Sequence, residues 1–337
     1  MRVQKSSVTP PAGAATSDGG EAATDMSWRL PLVRWRRILL WALGSLWLLD
    51  AALQYQPYMF TGAFPREVIR PTAEGNPGWV HSPVEWSATL MAHHIVVLNA
   101  VFATVQLLIA LGLFWHRTVK PALSASIVWA LLVWWLGEGL GGILTGPVSP
   151  LVGLPGAVVL YAVIAALLWP PTHPAVHSRR PPISVATSSP LRAAATGVWL
   201  LLWLGFAVEA LLPADRAPGA VHDLLAGLSD GEPHWIADID AWAARSAIGH
   251  DTGISIILAA CCVLIALRVL APPALARAGV ALAILLSMGI WVVAQDFGGI
   301  ATGQGTDPNS GLVLAVLALC FWPIHLTARD IRPATSE

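Results

Sequence analysis

The sequence predicts an all-α integral membrane protein of about eight transmembrane helices, arranged as two tandem parallel four-helix repeats. Three observations predict this class. The first is composition: the 337 residues are 55% hydrophobic and only 12% charged, with a mean hydropathy of +0.64. A water-soluble globular chain carries roughly 25% charged residues, so much of this surface is suited to lipid rather than water. The second is a series of apolar runs that approach the roughly 20 residues a membrane span requires. The third is a set of segments that recur in the same order at one spacing.

Taken in chain order, residues 1–27 are rich in Ala, Gly, Ser, Thr and Pro and lack apolar periodicity. They read as a disordered cytoplasmic tail. Arg34, Arg36 and Arg37 stand just before the first apolar run, the arrangement of an uncleaved signal anchor with its amino end inside. The first repeat covers 28–171, with spans expected near Ile38–Tyr55, Ser87–Trp115, Pro121–Gly137 and Gly153–Trp169. A cytoplasmic linker, 172–192, follows. The second repeat covers 193–328, with spans near Ala193–Leu212, Thr252–Leu270, Ala278–Ala294 and Ser310–Leu326, and 329–337 is a cytoplasmic tail.

The basic residues fit this layout. Of 19 Lys and Arg, only Arg66, Arg70, Arg216 and Arg245 fall on the outer side, so the positive-inside rule puts both termini in the cytoplasm of a bacterial plasma membrane. The lipid bilayer is therefore the expected partner, with other membrane proteins or a second copy as further candidates. The net charge of -1 provides no basic field for nucleic acid. Cys261, Cys262 and Cys320 lie in apolar runs and read as small core residues.

The duplication rests on GNPGWVHSPVEW from Gly75 and GEPHWIADIDAW from Gly231, 156 positions apart. This offset aligns Trp79 with Trp235, Trp86 with Trp242, and His94 with His250. One residue of slippage later, GGILTG at Gly141–Gly146 aligns with GGIATG at Gly298–Gly303. An even number of spans per copy inserts both copies in the same sense, with a pseudo-twofold axis along the membrane normal. Two long outer segments, Gln56–Glu85 and Pro213–Asp240, can form short interfacial helices or ordered connectors.

Few groups can carry chemistry. His94 and His250 sit at equal depth, where imidazoles can ligate haem iron or another metal, or simply cap helices. Glu138 in WWLGEGLGG and Gln295–Asp296 in WVVAQDFGG lie where the third helix of each copy meets the outer loop. A carboxylate there is a proton or cation site, or one that snorkels or bonds to amides of the Gly-Gly turn. Asp50 and Glu209 end the first helices and are expected to reach water. Asn99 and Gln106 share one helix face, with Ser255 and Cys262 as counterparts. They suit interhelical hydrogen bonding or, alternatively, a substrate path.

The segments WWLGEGLGGILTGPVSPLVGLPGAVVLYAVIAALLWP, LLDAALQYQPYMF and LNAVFATVQLLIALGLFWHRTV resemble a group of uncharacterised actinobacterial polytopic membrane proteins. Through the short first helix and the GLFWHRTVKPAL turn, each half is also faintly similar to DoxX-like four-helix proteins. That topological likeness transfers no residue roles. Three function classes follow in order: small-solute or ion handling, or partner support, through an outer site between the repeats; a redox protein binding haem, metal or quinone through His94 and His250; and an outer-leaflet membrane enzyme.

Overall fold

The computed structural model describes residues 18–145, 149–170, 184–228, 231–268 and 271–324. All regular structure among these residues is helical. The first half holds α1 (Asp18–Leu53), α2 (Gly78–His93), α3 (Ile95–Phe114), α4 (Val119–Leu136) and α5 (Ala157–Leu167). A short helix, α6 (Val185–Ser188), precedes the second half. That half holds α7 (Arg192–Glu209), α8 (Ala220–Leu228), α9 (His234–Ala247), α10 (Asp251–Leu267), α11 (Pro273–Val293) and α12 (Asn309–Cys320). The first helix thus takes in residues 18–27, which composition alone assigns to the tail.

By length and apolarity, four helices can cross a membrane: α3, α4, α7 and the Leu275–Val293 stretch of α11. A fifth arises if α9 and α10, bent by 103° at their joint, count as one broken span. Their outward faces are apolar: Leu201 and Leu285 are 77% and 70% exposed. Such side chains belong in hydrocarbon rather than water. The helices are therefore compatible with a membrane protein, with fewer full-length spanning helices than the apolar runs suggest.

One expected run changes direction and two are shorter than their apolarity suggests. The run expected as one span, Ser87–Trp115, breaks at His94, whose φ of -130° and ψ of 34° are not helical. Apolarity there is continuous, but the backbone direction is not. The runs expected as the fourth span of each half yield helices of only 11 and 12 residues. At about 1.5 Å per residue these are well short of the roughly 30 Å hydrocarbon layer. Both are apolar and almost entirely buried, so other helices rather than lipid surround them.

The same pairings hold in each half. α1 packs on α3 as α7 packs on α10; α3 on α4 as α10 on α11; and α4 on α5 as α11 on α12. The halves meet where α5 packs against α12, and α1 also touches α12. Trp35 Nε1 donates to the Leu319 carbonyl across this seam at 3.1 Å. Arg36 donates to the Trp169 carbonyl at 3.2 Å and to Ser188 Oγ at 3.0 Å, so α6 is tied to the first helix. In the core, Trp47 lies against Tyr161 with ring centroids 4.8 Å apart and donates to Ser126 Oγ at 2.9 Å.

The turns after α4 and α11 are also alike. Gly139, Leu140, Gly141 and Gly142 all have positive φ, between 53° and 74°. Asp296, Phe297, Gly298 and Gly299 do the same, between 45° and 80°. A non-glycine residue at positive φ is uncommon, and two such left-handed runs of four at corresponding positions share one local architecture.

Candidate functional site

The turn geometry fixes the first site residues. After α4, the left-handed run folds Glu138 back over the start of α5, where its Oε1 accepts from the Val158 amide at 3.4 Å. After α11, the matching run places Gln295 over the start of α12, where its Oε1 accepts from the Gly311 amide at 2.9 Å. One turn earlier, Trp134 Nε1 donates to the Pro155 carbonyl at 2.8 Å, and Trp291 Nε1 to the Pro308 carbonyl at 2.7 Å. Glu138 and Gln295 thus occupy the same niche and make the same bond. Glu138 neither snorkels nor bonds to the Gly-Gly turn, as the sequence suggests; its partner is the amide of the following helix. Glu138 Oε2 is buried without a partner among the described residues.

Two cavities meet at Glu138. One, of about 430 Å³, lies between the turn at 139–142 and the segments Gly153–Ala157 and 304–309. The other, of about 360 Å³, runs into the first half among α1, α2, α3 and α4. Val68, Thr72, Glu138, Thr306 and Asp307 line both. The second cavity is largely apolar, with Phe64, Leu90, Met91, Phe102 and Leu132 on its walls. Its polar lining includes Asp50, Gln54, Gln106, Glu138 and Asp307.

The acidic groups come from both halves. Asp50, expected to reach water from the end of α1, is only 2% exposed and accepts from the Tyr161 hydroxyl at 3.1 Å. Asp307, just ahead of α12, accepts from Thr306 Oγ1 at 2.8 Å and from the Asn309 amide at 2.7 Å. Burial pushes the Glu138 carboxyl up to about 8, with the nearby Asp307 charge adding to the rise against the Val158 hydrogen bond. Burial also raises Asp307, opposed by its two hydrogen bonds. A neutral Glu138 matches the shape and charge of Gln295, which explains how one niche accepts both residue types.

Asn99 is fully buried, and its Nδ2 donates to the Gln54 carbonyl at 2.7 Å, linking α3 to the end of α1. Gln106, on the same helix face, lines the apolar cavity, and its Oε1 has no partner among the described residues. Asp296 is brought against Asp240 of α9. Burial raises the Asp296 carboxyl, and the neighbouring Asp240 and then Glu232 add to the rise.

His94 and His250 occupy corresponding joints, as the residues before α3 and before α10. Both are exposed, and His250 Nδ1 lies 2.8 Å from the Ile248 carbonyl. Among the described residues, no group of three or more His, Cys, Asp or Glu side chains is arranged to hold a metal.

The raised carboxyls predict a pH dependence of stability. Glu138 keeps its proton in the folded protein up to about pH 8, and Asp296 keeps its own above the ordinary carboxyl range, whereas the unfolded chain releases them near 4.5 and 3.8. Between those limits the folded state binds more protons, so stability falls as pH rises. Thermal unfolding in detergent will show a midpoint that declines from pH 5 to 8, by about several °C in all. Glu138→Gln with Asp296→Asn will flatten the decline; an unchanged slope would contradict the protonation assignment.

Comparison of the chain with protein families, with curated proteins and with solved structures finds no match.

Proposed function

We propose that this protein binds and passes a small solute at the outer face of a bacterial plasma membrane. The site lies between two tandem, parallel four-helix halves. The observation that carries this reading is the pair of cavities meeting at Glu138, with Asp50 and Glu138 from one half and Asp307 from the other. A route with one polar and one apolar chamber, joined at protonatable groups, suits passage better than fixed chemistry.

The parallel repeat is supported by the shared helix pairings, the two left-handed turns, and the duplicated Trp and Glu/Gln hydrogen bonds. In this reading about eight segments traverse the bilayer. The short α5 and α12 do so inside the bundle, where the turns ahead of them are shielded from lipid. The site lies at the end where α1 and α4 finish and α5 and α12 begin. Lys and Arg placement assigns that end to the outside and both termini to the cytoplasm.

Val68 tests the route because it lines both chambers. A Val68→Cys variant will react with a small, membrane-impermeant thiol reagent added from outside, as will the exposed control Gln304→Cys. Labelling at position 304 without any labelling at position 68 would sink the proposal.

A further inference from the structure

The charged lining of the apolar cavity is one-sided. Its side chains offer three carboxyls and two amides, and among the described residues no Lys, Arg or His lines either chamber. Three oxygens there have no donor among the described residues: Gln54 Oε1, Gln106 Oε1 and Glu138 Oε2. Gln54 and Gln106 are 6% and 7% exposed, so bulk water does not serve them. A buried acceptor without a donor is costly, and all three belong to residues that line the chamber, where a ligand that brings donors could satisfy them. The lining also carries N–H donors, on the amides of Gln54 and Gln106 and on the indoles of Trp86 and Trp129, the Trp129 Nε1 being without a partner among the described residues.

Charge narrows the class further. Phosphate or carboxylate headgroups would meet several acids and no cation to pair them. An ammonium group meets acceptors on several sides, and Trp47, Trp86 and Trp129 on the walls supply aromatic faces that attract cations. The rest of the lining, including Phe64, Leu90 and Met91, takes an apolar chain. At about 360 Å³ the chamber lies toward the small end of ligand pockets, roughly 300–1,000 Å³, which limits that chain to a short one.

We propose that the solute is a short-chain hydrophobic amine. Its ammonium is held by Asp50, Glu138 and Asp307 where the chambers meet, and its chain lies along the apolar wall. This inference rests on the route described under the proposed function and names what travels it. The acids mark the polar chamber's mouth as the amine's entry, and the apolar chamber as its desolvated seat.

Protection of Val68→Cys from the impermeant thiol reagent reads occupancy directly. The protein is reconstituted in lipid nanodiscs at pH 9, above the value near 8 at which Glu138 releases its proton, with the wild-type protein as the background for Cys261, Cys262 and Cys320. Octylamine, 1-octanol and octanoate are compared as probes. Octylamine is expected to slow labelling by about tenfold at saturation, with little effect from the other two. Glu138→Gln with Asp307→Asn is expected to remove the protection while leaving unprotected labelling intact. If that double variant does not fold, Glu138→Gln alone suffices, because Gln295 already fills the matching niche. Equal protection by octanol, or octylamine protection unchanged in the variants, would overturn the amine assignment and leave the route standing. A cysteine at position 68 that never labels would overturn the route itself, and the amine with it.

Discussion

Gly141→Ala is expected to abolish recovery of folded protein. Gly141 sits at φ +62°, and a Cβ there would overlap the Pro155 carbonyl oxygen and carbon. Those are backbone atoms at the entrance to α5, so no side chain can swing aside. The left-handed conformation alone costs an alanine about 1–2 kcal/mol. Displacing the 153–156 segment as well breaks the Trp134–Pro155 bond and moves Val158 away from Glu138. The total is expected to exceed about 4 kcal/mol, in the range that unfolds most domains. Gly298 stands in the same relation to Asp307 and Pro308, with contacts of 2.6 to 2.8 Å at φ +80°. Gly298→Ala will therefore be nearly as damaging. At Gly62 and Gly197 an added methyl would meet nothing within 4 Å, and alanine at either should cost little. Monodisperse yield in detergent and the unfolding midpoint will separate the two classes. A well-folded Gly141→Ala protein would mean that the turn is not packed as described.

Trp199→Ala is expected to be the most destabilising truncation in the second half, at about 3–5 kcal/mol. Trp199 is 1% exposed and donates to the Ile265 carbonyl at 3.0 Å, joining α7 to α10. Its ring lies 4.6 Å from Phe321 and 5.6 Å from Trp203, centroid to centroid. The Arg268 guanidinium sits 4.1 Å above it. Truncation leaves a cavity, an unpaired carbonyl and a buried cation that has lost its aromatic face. Trp199→Phe keeps the ring but not the donor, and should recover roughly half of the loss. Chemical or thermal unfolding of the two variants tests this. Equal stability of Trp199→Ala and wild type would show that α7 is not anchored through this residue.

Several features of this fold are legible in the sequence because they are local. Helical character follows from apolar runs, and a membrane setting from composition. The acids and amides at 138, 295 and 296 are legible as boundary residues because they interrupt such runs beside Gly-Gly pairs. Other features depend on contacts between distant segments. Asp50 reads locally as a group near a helix end, and only Tyr161, arriving from α5, buries and bonds it. Asp307 reads as a turn residue before Pro308, and only the docking of α12 on α5 brings it to Glu138. Gln54 carries no local signal at all, lying just past the end of α1. The break at His94 is hidden for the opposite reason: apolar residues continue through it, and hydropathy does not record backbone direction. The lengths of α5 and α12 are overestimated for a related reason, since their apolar runs include turn segments that are buried in the protein.

The most direct test of the account is the sidedness of Trp79 and Trp235, which are 60% and 59% exposed near the start of α2 and α9. Single cysteines at the two positions, challenged with an impermeant reagent in intact cells and in inverted vesicles, report which side each half presents. Both are predicted to react in cells and to be protected in inverted vesicles. Reaction of the two from opposite sides would contradict a parallel pair of halves sharing one site.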